Sequence, residues 1–378
     1  MSRVKDCSNE KTEAAVKKIL LGVCDIGNGH TSRQKCIIKE LLKCNVELAL
    51  AVTENGAVKF GREFPEIKRL LINIPWVTSD NEGIDFKDTL DRYRESKKDQ
   101  FGSFLEFAVK ARQCFDGDPP DLVMTDYEPN VAQFAYAMDL PLICMDQHSK
   151  FLFLDSEEIE GFTTNEGAAR LRYFFPKVDH RFISSFSPIR IEEKEGITVL
   201  PPVIRKLEKG KTDQSKAVVY FSPYTNDQKQ FERVLDMLTE RRDHSFVIYS
   251  DLKFKEYEKY PHFTFKSIGG EFTNDISDCC CIISSAGHQL ISEAVSLDIP
   301  VLIYSFSTYD QKYCAKMVEE YRLGKVIQRF DKKELDDFLY DLESYRRSIS
   351  GFRTKYWTSS WDDIMLDVLN EKYGIHRM

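Results

Sequence analysis

The 378-residue chain has no uninterrupted apolar run of about 18 residues, the least that makes a membrane-spanning helix. Its first stretch, MSRVKDCSNEKTEAAVKK, is polar and charged and holds no apolar h-region, so neither a standard export signal nor stable membrane insertion is expected. Positive charge is not in excess: 53 Lys+Arg against 61 Asp+Glu leave a net charge of -8, which argues against nucleic acid and anionic lipid as general partners. The 10 Cys include no CxxC pair, and Cys24, Cys144, Cys279, Cys280 and Cys281 fall inside apolar strand-like runs. They read as buried free thiols of a reducing, cytoplasmic compartment, not as disulfides or zinc ligands. Only 18 Gly and 13 Pro punctuate the chain, and 42% hydrophobic with 30% charged residues is the composition of a folded protein without a long disordered tract. No repeat with a period of about 20 to 50 residues is present.

What is present is a strand and helix rhythm. Length alone suggests two domains, at roughly 150 residues each. Lys18 to Ile26 is an apolar run of buried-strand type, followed by Gly27-Asn28-Gly29-His30 and a helical pattern carrying Ile37, Ile38, Leu41 and Leu42. Strands are expected at Val46 to Val52, Ile67 to Ile74, Asp121 to Thr125 and Pro141 to Met145, with helices at Phe101 to Cys114 and Asn130 to Met138. Thr78 to Lys98 reads as irregular. After a less periodic stretch holding a helix near Ala168 to Phe175 and a strand at His180 to Ser184, Pro201-Pro202 and a charged run, Arg205 to Lys216, mark a linker. A second series follows, with strands at Ala217 to Phe221, Ser245 to Tyr249, Phe263 to Phe265, Cys279 to Ile283 and Pro300 to Tyr304, and helices at Asp227 to Glu240 and Gly287 to Leu297. The tail from Trp357 to Tyr373 has helical spacing. The expected fold is α/β, with two Rossmann-like domains. Residues 1–200 form the first, 201–350 the second, and 351–378 a helical tail.

Backbone N–H groups at a helix start are unpaired and the helix dipole adds partial positive charge, so a glycine loop feeding a helix can hold a phosphate. Two such places occur. One is Gly27-Asn28-Gly29-His30-Thr31-Ser32-Arg33, and the other is Ser284-Ser285-Ala286-Gly287-His288, where the CCCIISS strand ends. Glycine and small polar residues at such turns also serve turn geometry and capping alone.

These two loops, with the downstream Asp310-Gln311, resemble the paired signatures of GT-B-type glycosyltransferases. The likeness is to the group holding the UDP-glycosyltransferases and the peptidoglycan N-acetylglucosaminyltransferase. The resemblance spans most of the chain in layout, and it implies that the two domains face each other across a cleft and that the 351–378 helix returns to the first. It implies that Gly287 lets a donor diphosphate approach the helix start, with Ser285, His288 and Gln289 beside it and Gly29 on the opposite loop. Glu293 would accept from ribose hydroxyls, and Asp310 and Gln311 would touch the donor sugar. The sequence departs from the pattern at Ala286, where a second Gly is frequent, at Leu290 for Ser or Thr, at Cys314 for Asn, and at Asp298 for Gly.

His30 is the candidate general base, because a neutral imidazole beside the cleft can take the acceptor hydroxyl proton. Asp126 is its candidate orienter, a pairing the resemblance supports. The alternatives are a capping or diphosphate-contacting role for His30 and a turn-forming role for Asp126 in its Asp-Tyr-Glu-Pro segment. Glu128 can replace Asp126 as the cleft carboxylate. His148 either lines the cleft or is polar turn material at a strand end, and Arg33 either neutralises phosphate or is a solvated first-turn charge. Ile74-Pro75-Trp76-Val77 is an apolar patch that either meets an apolar acceptor or covers the core. Asp362-Asp363 looks like acid at a helix start. With no DxD run placed as a metal-binding donor site, neither metal nor cofactor is expected.

The resulting expectation is an inverting glycosyltransferase, passing a sugar from a nucleotide-diphosphate donor, UDP-type foremost, to a hydroxyl of a small-molecule, glycan or lipid-linked acceptor. The competing expectations are a nucleotide-sugar 2-epimerase and a non-catalytic nucleotide-sugar-binding subunit.

Overall fold

The computed structural model describes residues 15–80, 83–96, 100–154, 164–191, 194–221, 228–267, 269, 271–304 and 308–378. Fifteen strands are described: β1 (Lys17–Val23), β2 (Val46–Val52), β3 (Lys68–Leu71), β4 (Thr78–Asp80), β5 (Gly83–Asp85), β6 (Leu122–Asp126), β7 (Leu142–Asp146), β8 (His180–Ser184), β9 (Ile197–Leu200), β10 (Lys216–Tyr220), β11 (Ser245–Tyr249), β12 (Phe263–Lys266), β13 (Cys281–Ser284), β14 (Val301–Tyr304) and β15 (Gly324–Ile327). The helices of the first half are α1 (Asn28–Leu41), α2 (Glu54–Gly61), α3 (Phe86–Ser96), α4 (Gln100–Arg112), α5 (Pro129–Met138) and α6 (Thr164–Phe174). Those of the second are α7 (Gln228–Leu238), α8 (Glu271–Asp278), α9 (His288–Ser296), α10 (Tyr309–Glu320), α11 (Lys332–Tyr340), α12 (Leu342–Tyr356) and α13 (Trp361–Tyr373).

The strands make a seven-stranded sheet, β3-β2-β1-β6-β7-β8-β9, and a six-stranded sheet, β12-β11-β10-β13-β14-β15, and every pairing in both is parallel. Parallel strands buried on both faces need continuous apolar runs, which is why β6 and β13 are buried throughout. Helices cover the faces through stripes at helical spacing, as with Phe231, Val234, Leu235 and Leu238 on α7. The α13 side chains Met365, Leu366 and Leu369 join the core under β1 and β2, so the C-terminal helix returns to the first sheet as expected. Each such burial is worth about 1.5–3 kcal/mol.

Several sequence expectations change. Thr78 to Lys98 is not irregular: it holds the antiparallel β4–β5 hairpin and α3. β3 stops at Leu71, short of Ile74. Both sheets gain an edge strand, β9 and β15, that is too short and too half-exposed to stand out as an apolar run. The helix foreseen from Asp227 begins partly outside the described residues, and the 357–373 segment starts as a loop, with α13 beginning at Trp361. Asp362 and Asp363 sit in the first turn of α13, as read from the sequence.

In each sheet the strand order reverses next to the first strand of its unit, between β1 and β6 and between β10 and β13. Loops at the C-terminal ends of strands splay apart at such a reversal and leave a crevice. Both glycine loops lie there, after β1 and after β13.

Candidate functional site

A cleft of about 1570 Å³ is lined by both glycine loops, and Gly29, His30, Ser285, Gly287, His288, Gln289, Glu293, Asp310 and Gln311 all face it. Asp126, the remaining candidate, stands behind His30 at the end of β6 with no exposed surface. The two helix starts approach closely at Gly29, where an added Cβ would lie 3.6 Å from Gln289 Cβ.

Helix α1 begins after Gly27, whose φ of 84° is a conformation that favours glycine, and α9 begins after Gly287. Neither start carries a side-chain cap among the described residues, and neither has an acid in its first turn. The start of α10, at Thr308, likewise lacks a side-chain cap. By contrast α2, α5 and α11 are capped by Thr53, Glu128 and Asp331. Two helix starts that no side chain caps, those of α1 and α9, therefore open on one cleft, an arrangement suited to an anion, while the α10 start beside them carries the acid Asp310.

On the first wall, His30 Nδ1 lies 2.9 Å from Asp126 Oδ1. The same carboxylate accepts Arg33 Nη2 at 2.7 Å from each oxygen, Arg33 Nε at 3.1 Å and Gln34 Nε2 at 2.8 Å. Burial alone would raise the Asp126 pKa, but the Arg33 and His30 neighbours outweigh it and hold the carboxyl below its usual range. Arg33 Nη2 also comes within 3.0 Å of His30 Nδ1. A guanidinium only donates, and its Nη2 is already spent on Asp126, so Nδ1 carries the ring proton and donates to the carboxylate. In the neutral ring this tautomer puts the lone pair on His30 Nε2. Tyr127, next to Asp126, holds φ at 57°, a left-handed conformation that costs about 1–3 kcal/mol. That turn leads the chain out of β6 and into α5.

Of the two alternatives for Arg33, the solvated charge does not hold. Its side chain is 2% exposed, because positions three and four residues after His30 share its helix face and meet the same carboxylate. That spacing was the available signal for Arg33 and Gln34. Glu128 does not serve as the cleft carboxylate: fully buried, it accepts the Asn130 and Val131 backbone N–H groups at 2.9 and 2.8 Å, and burial pushes its carboxyl up to about 7. His148 is more than turn material. It lines the cleft and stacks on His30, with ring centroids 5.5 Å apart and 10° between planes.

On the second wall, Glu293 Oε1 accepts Arg205 Nε and Nη2, both at 3.2 Å, and Gln289 Nε2 at 3.3 Å. No sequence pattern announces the Arg205 partnership across 88 residues. His288 accepts the Phe186 backbone N–H at Nε2 over 3.3 Å, and burial with the nearby Lys150 and Arg33 charges pushes its pKa well below the usual value. Asp310 accepts the Thr308 hydroxyl at 2.6 Å, and Gln311 is buried beside it. Asp298, where glycine is frequent in the resembling group, has a φ of 54°, a conformation Asp tolerates better than most residues. Among the described residues no group of three or more His, Cys, Asp or Glu could hold a metal ion, and no helix is long and apolar enough to cross a membrane.

Two parallel α/β sheets meeting at a cleft, with helix starts on both walls, define the GT-B architecture, and solved structures of this class superimpose along nearly the whole chain. CalG4, the calicheamicin glycosyltransferase, matches with a TM-score of 0.66 at 13% identity over 95% of this chain and 98% of its own. Os79 from O. sativa, solved with U2F and trichothecene, gives 0.67 at 13% identity over 94% and 100%. Phytolacca americana UGT2, solved with UDP-2fluoro-glucose and pterostilbene, gives 0.66 at 12% identity over 96% and 100%. No curated protein sequence matches. The family model for glycosyl transferase family 1 matches residues 17–343, and the chain belongs to that family. The protein is a glycosyltransferase.

Proposed function

We propose that the protein transfers a sugar, with inversion at the anomeric carbon, from a UDP-type donor to an acceptor hydroxyl, with His30 as general base and Asp126 as its orienter. The observation that carries this reading is the His30–Asp126 contact of 2.9 Å at the cleft wall facing the α9 start. The acceptor O–H gives its proton to His30 Nε2 while its oxygen attacks the anomeric carbon. The bond from that carbon to the diphosphate oxygen breaks on the opposite face. Asp126 stays ionised and stabilises the imidazolium. Negative charge growing on the diphosphate is met by N–H groups of the α9 start at His288 and Gln289, with the side-chain-free Gly287 giving access, Ser285 beside them and Gly29 opposite. Glu293 takes the ribose hydroxyls through Oε2, the oxygen that Arg205 and Gln289 leave, and Asp310 and Gln311 take the sugar hydroxyls. The UDP complexes of similarly folded proteins support this choice of donor, as with LpCGTa solved with UDP.

In this reading residues 1–200 bind the acceptor, 201–350 bind the donor, and 351–378 return to the first unit. Nine free cysteines, seen in the described residues, favour a reducing, cytoplasmic setting. The test is UDP release from a panel of UDP-sugars by His30→Ala. Release is expected to fall roughly 10²- to 10⁴-fold with UDP affinity kept. Unchanged release would remove His30 as the base, and absence of UDP binding to the unmodified protein would remove the donor site.

A further inference from the structure

Behind His30 runs a second chain of polar side chains that the transfer step does not use. Lys150 is fully buried, and its Nζ donates to Gln147 Oε1 at 2.7 Å. An ammonium has no lone pair, so the amide oxygen must face it and the amide NH₂ must face the other way. There it meets His148 Nε2 at 3.0 Å. An NH₂ group only donates, so Nε2 holds a lone pair and the His148 ring is neutral, with its proton on Nδ1. Burial pushes the Lys150 pKa down, and its Nζ lies over aromatic faces, 4.7 Å from the Tyr313 ring centre and 5.3 Å from that of Phe151. Tyr313 lies on α10, so the relay rests at its far end on the helix whose first turn carries Asp310 and Gln311.

The groups facing His148 reinforce neutrality. They are His30 and Arg33 from α1, Lys150 from its own turn and His288 from α9, with Tyr127 at 4.7 Å and Tyr309 at 6.4 Å between ring centres. Burial first, then these titratable and charged neighbours, push its pKa well below the usual value. His148 Nδ1 is buried with no hydrogen-bond partner among the described residues, a donor the fold leaves unspent.

We propose that His148 is a positioning residue for proton transfer: a neutral imidazole, fixed by the Lys150–Gln147 relay, whose face stabilises the imidazolium that His30 becomes. The two rings are stacked 5.5 Å apart at 10°, so the neutral ring holds the plane of the base and places its π-face beside the growing positive charge. His148 exchanges no proton itself. A charged His148 would repel the same imidazolium. The inference rests on His30 being the base.

The test has two readouts. In long-range ¹H–¹⁵N spectra of the full chain, which has 7 His, the signal that disappears in His148→Phe identifies His148. It is expected to show protonated Nδ1 and bare Nε2 from about pH 5 to 8, the span over which an ordinary His titrates. Protonated Nε2, or charging within that span, overturns the inference without reference to any substrate. The second readout is the pH dependence of UDP release from UDP-glucose with a simple phenol as acceptor. His148→Ala is expected to lose roughly 3- to 30-fold in kcat/KM, whereas His148→Phe, which keeps a neutral ring, stays within about threefold. Gln147→Glu offers His148 Nε2 an acceptor in place of a donor, so in the same ¹H–¹⁵N spectra the ring proton is expected to move from Nδ1 to Nε2. Unmoved His148 signals in Gln147→Glu overturn the relay. If His30→Ala retains full release, the base assignment falls first. If His30→Ala is inactive while the His148 variants match the unmodified protein, only the present inference falls.

Discussion

Arg33 and Asp126 form a buried ion pair in which Nη2 stands 2.7 Å from both carboxylate oxygens, with 2% and 0% of the two side chains exposed. The pair joins α1 to the end of β6 and holds the carboxylate to which His30 donates. A buried charge deprived of its partner is costly. Arg33→Met is therefore expected to lower stability by about 3–5 kcal/mol in urea titration. Arg33→Lys keeps the charge but not the two-nitrogen grip and should lose less. Equal stability of both variants and the unmodified protein would refute the pair's structural role.

Asp126→Asn keeps the shape of the side chain and removes its charge. The amide no longer selects the Nδ1–H tautomer of His30 or stabilises its imidazolium, so UDP release is expected to fall roughly 10²- to 10⁴-fold. Circular dichroism separates this from unfolding. A folded Asp126→Asn protein with full release would leave His30 working without an orienter.

Gly287→Ala tests the helix start directly. Gly287 has a φ of -75°, which any residue adopts, and an added Cβ there has nothing within 4 Å. The fold should tolerate alanine with a loss on the order of 1 kcal/mol, the scale of cap substitutions. Its methyl group would stand in the cleft, and calorimetry is expected to show UDP binding weakened about tenfold, equivalent to 1.4 kcal/mol. Unaltered binding would mean that the diphosphate does not approach this backbone.

The pH dependence of stability follows from His180 on β8, whose pKa is pushed down to about 4 by burial, with the Lys372 charge adding to it, while its Nε2 meets Thr198 Oγ1 at 2.9 Å. The folded pKa lies below the unfolded one, so the folded state favours the neutral ring. This contribution is complete above pH 6.5 and is lost as pH falls from 6.5 towards 4. Asp126, whose folded pKa is likewise depressed, adds a loss in the same direction below its ordinary 3.8. Urea midpoints measured from pH 7 to pH 4 should fall for the unmodified protein and fall less for His180→Gln. Parallel curves would exclude His180 as a source of the slope.

Where one strand carries enough buried apolar residues, its place is legible in the sequence, as β2, β8 and β11 are at their observed bounds. The edge strands β9 and β15 escaped because an edge packs on fewer neighbours and needs fewer apolar residues. The two glycine loops were legible too, since a strand, a glycine turn and a helix start are all local. Arg33 and Gln34 stood in view at helical spacing from His30 but lacked a visible destination, because their carboxylate comes from a strand 92 or 93 residues on.

The sequence by itself determined the α/β alternation and the positions of both loops, because strand burial and helix starts follow from spacing along a few turns of chain. Only the tertiary structure decided which charges meet. The pairing of β1 with β6 brings Asp126 to His30 and Arg33. The linker after β9 carries Arg205 to Glu293. The turn after β7 sets the Lys150–Gln147–His148 relay against His30. Whether a buried polar atom finds a partner depends on distances of about 3 Å between segments far apart in sequence, and no periodicity encodes those.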